Sequence, residues 1–355
     1  MNLADLIRRP PQWRRSGGPM SDVVFSSRVR LARNLAGMPF LTRCTETQLS
    51  EVAGLLRGAL MRLSMGGETL YVDLAATDAV DRQLLVERHL ISKQLAETDI
   101  PRGVAIAGDE TVAVMVNEED HLRVQVLRGG LRLDACYGEI RRLDEMLEGQ
   151  LSFAFSSRFG YLTACPTNVG TGLRVSVMMH LPALRLTGKL ETALRAARDM
   201  HLAVRGLYGE GTEALGDMFQ LSNQVTLGRS EEQIVADFRD EVVPVFIDYE
   251  RQARKALLEH RRMALHDKVH RALAVLRSAR LISSEEALQL LSYVRLGLSL
   301  EILDGLGVED INELGLVVQP AHLQKLYDKR MSSAERAEAR AALLRQRLGG
   351  QGAVD

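Results

Sequence analysis

From residue 46 to 63 apolar positions recur at three and four, which predicts a helix, and 80–97 repeats the pattern. Short β-rich runs occupy 69–74, 104–106, 112–117 and 122–127. The last two are separated by Glu118-Glu119-Asp120-His121, so a hairpin tip would hold three carboxylates together. Carboxylates packed so closely repel one another, which a turn selected only for solubility would avoid. Segments 161–166 and 174–180 read as strands around the small-residue loop 167–172, 190–204 as a helix, and 205–211 as a glycine-rich loop. A strand is predicted over 218–227, and Ser230 with Gln233 forms a capping box that opens a helix.

The two ends of the chain differ from this mixed pattern. Residues 1–22 read as an irregular arm, with Pro10, Pro11, Gly17, Gly18 and Pro19 close together. After Pro244 no glycine or proline occurs until Gly297, apolar positions follow helical spacing, and Ser283/Glu286 and Ser332/Glu335 supply further helix starts. We therefore expect an α+β part over 23–250 and an all-helical domain over 251–355.

Composition adds bounds. The 355 residues carry 45 Lys+Arg against 46 Asp+Glu and are 46% hydrophobic, an ordinary globular balance that argues against a uniformly basic polyanion-binding surface. Charge is uneven: 28 basic against 33 acidic residues up to position 250, then 17 against 13, so the helical part is mildly basic. Cys44, Cys136 and Cys165 are too few for a disulfide scaffold. The N-terminal stretch has charges where a signal peptide needs an apolar core, and no run is long enough to span a membrane, so a cytoplasmic setting is expected.

Common motifs are absent. The chain has no P-loop, no HExxH and neither the His-Arg-Asp nor the Asp-Phe-Gly triplet of protein kinases. His266 and His270 share a helix face without a third ligand, and the helical part has no DNA-reading motif. Four segments remain: Ser26-Ser27-Arg28-Val29-Arg30, Asn117 to Arg123, Cys165 to Arg174, and Arg205 to Glu210. Each sets arginine beside glycine, carboxylate or a β-run. Guanidinium forks bind phosphate oxygens, and several converging on one triphosphate would stabilise a transferring phosphoryl group. Carboxylates in the same place call for a cationic substrate or a proton to remove.

Asn117-Glu118-Glu119-Asp120-His121, Cys165-Pro166-Thr167-Asn168 and Arg205-Gly206-x-x-Gly209-Glu210, with the upstream Ser-Ser-Arg-Val-Arg, resemble the signature set of the phosphagen (guanidino) kinases over about residues 23–228. The resemblance implies an antiparallel sheet flanked by helices and transfer of the γ-phosphoryl of MgATP to a guanidinium. Metabolic members carry a helical domain ahead of this part. Here Ser26 lies too early for one and a helical module follows instead, which is similar to the bacterial branch that phosphorylates arginine side chains within proteins. By motif match, Glu119 and Glu210 are the expected catalytic carboxylates, and Glu118 supports the site or the water shell of magnesium. Arg28, Arg30, Arg123, Arg174 and Arg205 are expected on the ATP phosphates. Ser26, Ser27 and Val29, His89, Val175, Ser176, Val177 and Met178, and Gly206, Leu207, Tyr208 and Gly209 would complete the nucleotide wall. Cys165 falls where the family keeps a reactive cysteine beside the guanidinium, and redox sensing is a hypothesis for it.

Arg336, Arg340 and Ala341 match an allosteric phosphoarginine pocket of that branch, although Ala337 stands where it has Asp. The implied partners are protein substrates marked for Clp-type degradation, a zinc-finger activator like McsA, the ClpC unfoldase and the heat-shock repressor CtsR. No direct nucleic-acid contact is implied, and a homodimer is compatible with the sequence. The alternatives are a kinase of a free guanidino metabolite and a non-catalytic phosphoarginine-binding adaptor.

Overall fold

The computed structural model describes residues 3–14, 17–207 and 215–349. Among them the strands are β1 Val24–Arg33, β2 Thr69–Asp73, β3 Gly103–Ala107, β4 Val112–Val116 and β5 Leu122–Gly129, then β6 Phe155–Ser156, β7 Gly160–Tyr161, β8 Leu173–His180, β9 Leu202–Arg205 and β10 Met218–Asn223. Eight form one antiparallel sheet in the order β2-β3-β4-β5-β1-β8-β10-β9, and β6 with β7 makes a separate ribbon. The α+β class with its antiparallel sheet is as expected.

Side chains alternate across a strand, so one face of the central strands is apolar and the other charged. Val29, Leu31, Val124, Val126, Leu173, Val175 and Val177 are buried on the apolar face. The helices Glu46–Arg62, Leu133–Glu148 and Val243–His260 cover it. Thr45 and Ser230 cap their helices with full capping boxes, each cap stabilising by about 1 kcal/mol. At one end of the opposite face Phe25, Leu127 and Met178 share a second core with helices of the C-terminal part, including Ser284–Ser299 and Ser333–Leu348. The other end stays open.

Several elements depart from the sequence reading. The 80–97 segment is two helices, Ala79–Glu87 and Lys93–Glu97, interrupted where His89 takes a left-handed φ of 58°. The 190–204 segment is a helix only over Leu190–Asp199; Leu202–Arg205 is the edge strand β9, because pairing with β10 overrides helical propensity. Segment 161–166 is not a strand beyond Tyr161. The arm is anchored, with Trp13 buried against Phe25 and His89, and Arg14 Nη1 donating to Asn312 O at 3.2 Å.

Candidate active site

The register of the sheet gathers the arginines. Arg30 of β1 lies directly opposite Arg174 of β8 and Gln125 of β5; Arg28 lies opposite Ser176, and Arg205 opposite Gln220. All line a cleft of about 920 Å³ except Ser176, which borders a small recess beneath it. Like charges directly across a sheet destabilise it unless an anion lies between them. Arg28 is partly held, donating to Gln220 Oε1 at 2.6 Å and to Ser176 Oγ at 3.4 Å. Arg174 donates to Asn168 Oδ1 at 2.8 Å and Thr167 Oγ1 at 2.7 Å. The Nε and Nη2 of Arg30 are buried and without a hydrogen-bond partner. A buried cation without acceptors is costly, so this position fits an anionic ligand.

Electrostatics agree. Burial, then Arg123 and Arg205, pushes the Arg28 guanidinium down to about 10. Burial and four neighbouring arginines push Arg30 well below its ordinary range. Burial, Arg205 and Arg123 also lower Arg174. Burial would lower Arg123 as well, but Glu118, Glu119 and Asp120 hold it above its usual value. The charged forms of the first three guanidiniums are strained without an anion to complement them.

The β4–β5 hairpin gives its three carboxylates different positions. Glu118 is buried, ion-paired with Arg123, and accepts the Glu119 amide at 3.0 Å. Asp120 accepts from Asn34 Nδ2 at 2.6 Å and from the Ala164 amide at 2.7 Å, tying the turn to the Cys165 loop. Glu119 is left in the cleft, 3.5 Å from Arg123, its carboxyl raised by burial and by Glu118 and Asp120 against the pull of Arg123 and Arg174. His121 is structural: its Nδ1 accepts the Leu35 amide at 3.0 Å, and its Nε2 lies 2.9 Å from Pro39 O, which makes it the donor there. Asn117 takes a left-handed φ of 55° at the turn and donates to Leu49 O and Pro101 O.

The model of the ATP:guanido phosphotransferase C-terminal catalytic domain matches residues 51–253, and that of the protein-arginine kinase McsB C-terminal domain matches 262–353. The chain belongs to the protein-arginine kinases of the ATP:guanido phosphotransferase family. It is 46% identical over 352 residues to the protein-arginine kinase of Symbiobacterium thermophilum, covering 98% of this chain and 99% of that one. With the Moorella thermoacetica protein it shares 47% over 347 residues, 97% of this chain and 99% of that one. Among solved structures, a lombricine kinase is 27% identical with a TM-score of 0.58, covering 68% of this chain and 72% of that one. The duplicated taurocyamine kinase from Schistosoma mansoni with bound transition-state-analogue components is 25% identical with a TM-score of 0.59. That match covers 78% of this chain and 44% of the duplicated one.

For a member of this family, the sequence-derived site is largely brought together: Arg28, Arg30, His89, Glu118, Glu119, Arg123, Cys165, Arg174, Arg205 and Leu207 all line the cleft. Ser26, Ser176 and Met178 border the recess beneath it. Ser27, Val29, Val175 and Val177 do not reach it. Alternation turns them to the opposite face, where the three valines are core and Ser27 Oγ donates to Gly130 O. Gly206 is buried outside the lining, and Tyr208, Gly209 and Glu210 lie outside the described residues. Cys165 Sγ lies 3.1 Å from Thr167 Oγ1. Arg340, in the last helix, donates to Val318 O and Ile282 O; Arg336 donates to Met331 O, and Ala341 is buried. Sequence reasoning missed Gln125, Asn168 and Gln220. The alternation of Gln125 with Val124 and Val126, and of Gln220 and Ser222 with Phe219 and Leu221, was a usable signal, and Asn168 stood inside the Cys165–Asn168 motif without a role of its own.

Proposed function

We propose that this protein is a kinase that moves the γ-phosphoryl group of ATP onto the guanidinium of arginine side chains in proteins. The observation that carries the reading is an arginine-lined cleft, with Nε and Nη2 of Arg30 buried and without a hydrogen-bond partner, that also holds the Glu119 carboxylate. The full-length likeness to protein-arginine kinases supports the acceptor.

The chemistry follows from these groups. Arg28, Arg30, Arg123, Arg174 and Arg205 hold the triphosphate and neutralise charge on the equatorial oxygens of the transferring group. A guanidinium with a pKa above about 12 is no nucleophile while protonated. Glu119 fixes it and accepts one N–H proton as the N–P bond forms and the bond from the γ-phosphorus to the ADP oxygen breaks. Burial raises the proton affinity of Glu119, which favours that acceptance. Glu210 is assigned the second carboxylate by motif. Bound magnesium would supply charge neutralisation on the phosphates. Its donors would be phosphate oxygens and water, with Glu118 the residue that would support its water shell.

We further assign residues 23–250 to catalysis and 251–355 to substrate or partner binding, with Arg336, Arg340 and Ala341 as its phosphoarginine pocket; the division falls within the helix Val243–His260, whose second half still packs on the sheet core. The reading places the protein in the cytoplasm with an activating zinc-finger protein, a Clp unfoldase and a heat-shock repressor as partners. Reversing the charge of a DNA-contacting arginine would release such a repressor.

The deciding experiment is incubation with MgATP and an unfolded model protein, beside free arginine and Glu119→Gln, with mass spectrometry under neutral conditions that preserve P–N bonds. Phosphoarginine on the protein, absent with the variant, is expected. Phosphorylation of free arginine alone would make it a metabolite kinase, and ATP binding without either product would favour an adaptor or a requirement for the missing activator.

A further inference from the structure

We propose that an exposed apolar rim formed by Phe155, Phe159, Val225 and Leu227 docks the residues flanking the acceptor arginine, so that the enzyme prefers arginines set among apolar side chains. The proposal rests on the protein-arginine kinase reading and adds a specificity surface to it.

These four side chains are 62%, 43%, 53% and 50% exposed. They come from two distant segments whose backbones the fold brings side by side. The Phe155 ring packs edge-on against Tyr161 at 5.2 Å, and Tyr161 pairs with Gly170. Gly170 has a φ of 112°, and a Cβ there would meet Thr226 O at 2.4 Å and Leu227 Cα at 2.9 Å. Only glycine lets the β6–β7 ribbon and the 225–227 segment approach this closely. Gly160, next to Phe159, abuts the same Gly170 backbone.

The rim is continuous with the cleft. Thr226 Oγ1 donates to Thr167 O and Val169 O, and Thr167, Asn168 and Gln224 line the cleft beside Glu119. An acceptor arginine reaching Glu119 on a polypeptide brings its neighbours along at roughly 3.5 Å per residue. Residues that leave the cleft past Gln224 then reach the rim, which begins at Val225. A free guanidino substrate has no such neighbours and would leave the patch bare. Exposed apolar residues scattered singly are ordinary, whereas a cluster at the mouth of a charged cleft marks a contact surface.

The test compares two fluorescent peptides with one arginine each, flanked by Leu and Phe or by Ser and Gly. Both binding and phosphorylation are measured on the full chain, on Val225→Ser/Leu227→Ser and on Phe155→Ser. The wild type is expected to favour the apolar peptide roughly five- to tenfold in kcat/KM, through KM. The variants lose that preference while keeping the KM for MgATP and the rate on the polar peptide. Sedimentation of the same samples reads the other occupant, a second copy of the chain. Equal use of the two peptides by the wild type would overturn the proposal. So would variants that keep the preference, or variants that only convert an oligomer to monomer. A binding preference that the variants abolish, with neither peptide phosphorylated, would leave the surface supported and place the failure in the kinase reading or in the missing activator.

Discussion

The carboxylate of Glu87 and the backbone and ring of His322 are joined across 235 positions of sequence: the His322 amide donates to Glu87 Oε2 at 3.0 Å, and its Nδ1 lies 2.9 Å from the same oxygen. The Ala321 amide donates to Glu87 Oε1 at 2.9 Å, so this buried carboxylate caps the helix Pro320–Leu326. Arg88, the next residue, pairs with Glu110 and reaches His322 Nε2 at 3.1 Å. His89 follows, lining the cleft while its carbonyl accepts Gln125 Nε2 at 2.7 Å. Three consecutive residues therefore tie the C-terminal helices to the cleft wall. Glu87→Gln sets an amide NH₂ against these donors. It should cost about 2 kcal/mol of stability and raise the KM for ATP several-fold with a smaller change in kcat. Denaturant unfolding and steady-state kinetics check both; an unchanged KM would show the wall to be independent of that cap.

Arg30 is a reservoir of unfavourable electrostatics in the ligand-free protein. Arg30→Met should raise the melting temperature without nucleotide by relieving repulsion from Arg28 and Arg174, and weaken ATP binding roughly 10- to 100-fold. Calorimetric titration with ATP and a thermal melt measure the two opposed effects. A variant that is both less stable and equally competent in binding would contradict the assignment.

Glu119→Gln preserves shape and removes the proton acceptor. We expect kcat to fall by about 10²- to 10⁴-fold with ATP affinity changed little. Asp120→Asn should act differently, loosening the Ala164 amide and the Cys165 loop, and should show chiefly as lost stability.

Four histidines, the buried His121, His180 and His322 and the half-buried His89, make the fold sensitive to acid. Burial, with Arg14 and Arg28 nearby, lowers His89 to about 3; burial, with Arg295 and Arg254, lowers His180 well below its usual range; burial also lowers His121, and His322 despite Glu87. Each takes up a proton less readily when folded than when unfolded, so below pH 6.5 the unfolded chain binds more protons. Stability is full above that pH and falls as pH drops, by up to about 1.4 kcal/mol per unit for each histidine. Unfolding between pH 7.5 and 5.5 should show this slope, and His322→Gln should make it shallower.

Cys165 borders the cleft with Arg174 and Glu119. Mild peroxide should lower activity in the wild type and spare Cys165→Ser. Equal sensitivity in both would place the oxidisable group elsewhere.

Much of this protein is determined locally. The apolar alternation in 112–127, the capping boxes at Ser230 and Ser332, and the arginines at positions 28, 30, 123, 174 and 205 are all visible in the chain, because period and residue chemistry are local properties. The β1 strand was legible only as a motif. Two serines and three arginines in ten residues mask its strand character until one sees that Arg28 and Arg30 share a face opposite Val29 and Leu31. What the tertiary structure decided is pairing. Only the sheet register sets Arg30 against Arg174, turns Val175 and Val177 away from the cleft, and bends Leu202–Arg205 into an edge strand. Only long-range contacts separate Glu118, Glu119 and Asp120 by role, and only the docked C-terminal helices explain why Glu87 is a buried carboxylate. The physical reason is that charge and periodicity are written residue by residue. Desolvation and partner choice depend on which residues, far apart in sequence, are folded against one another.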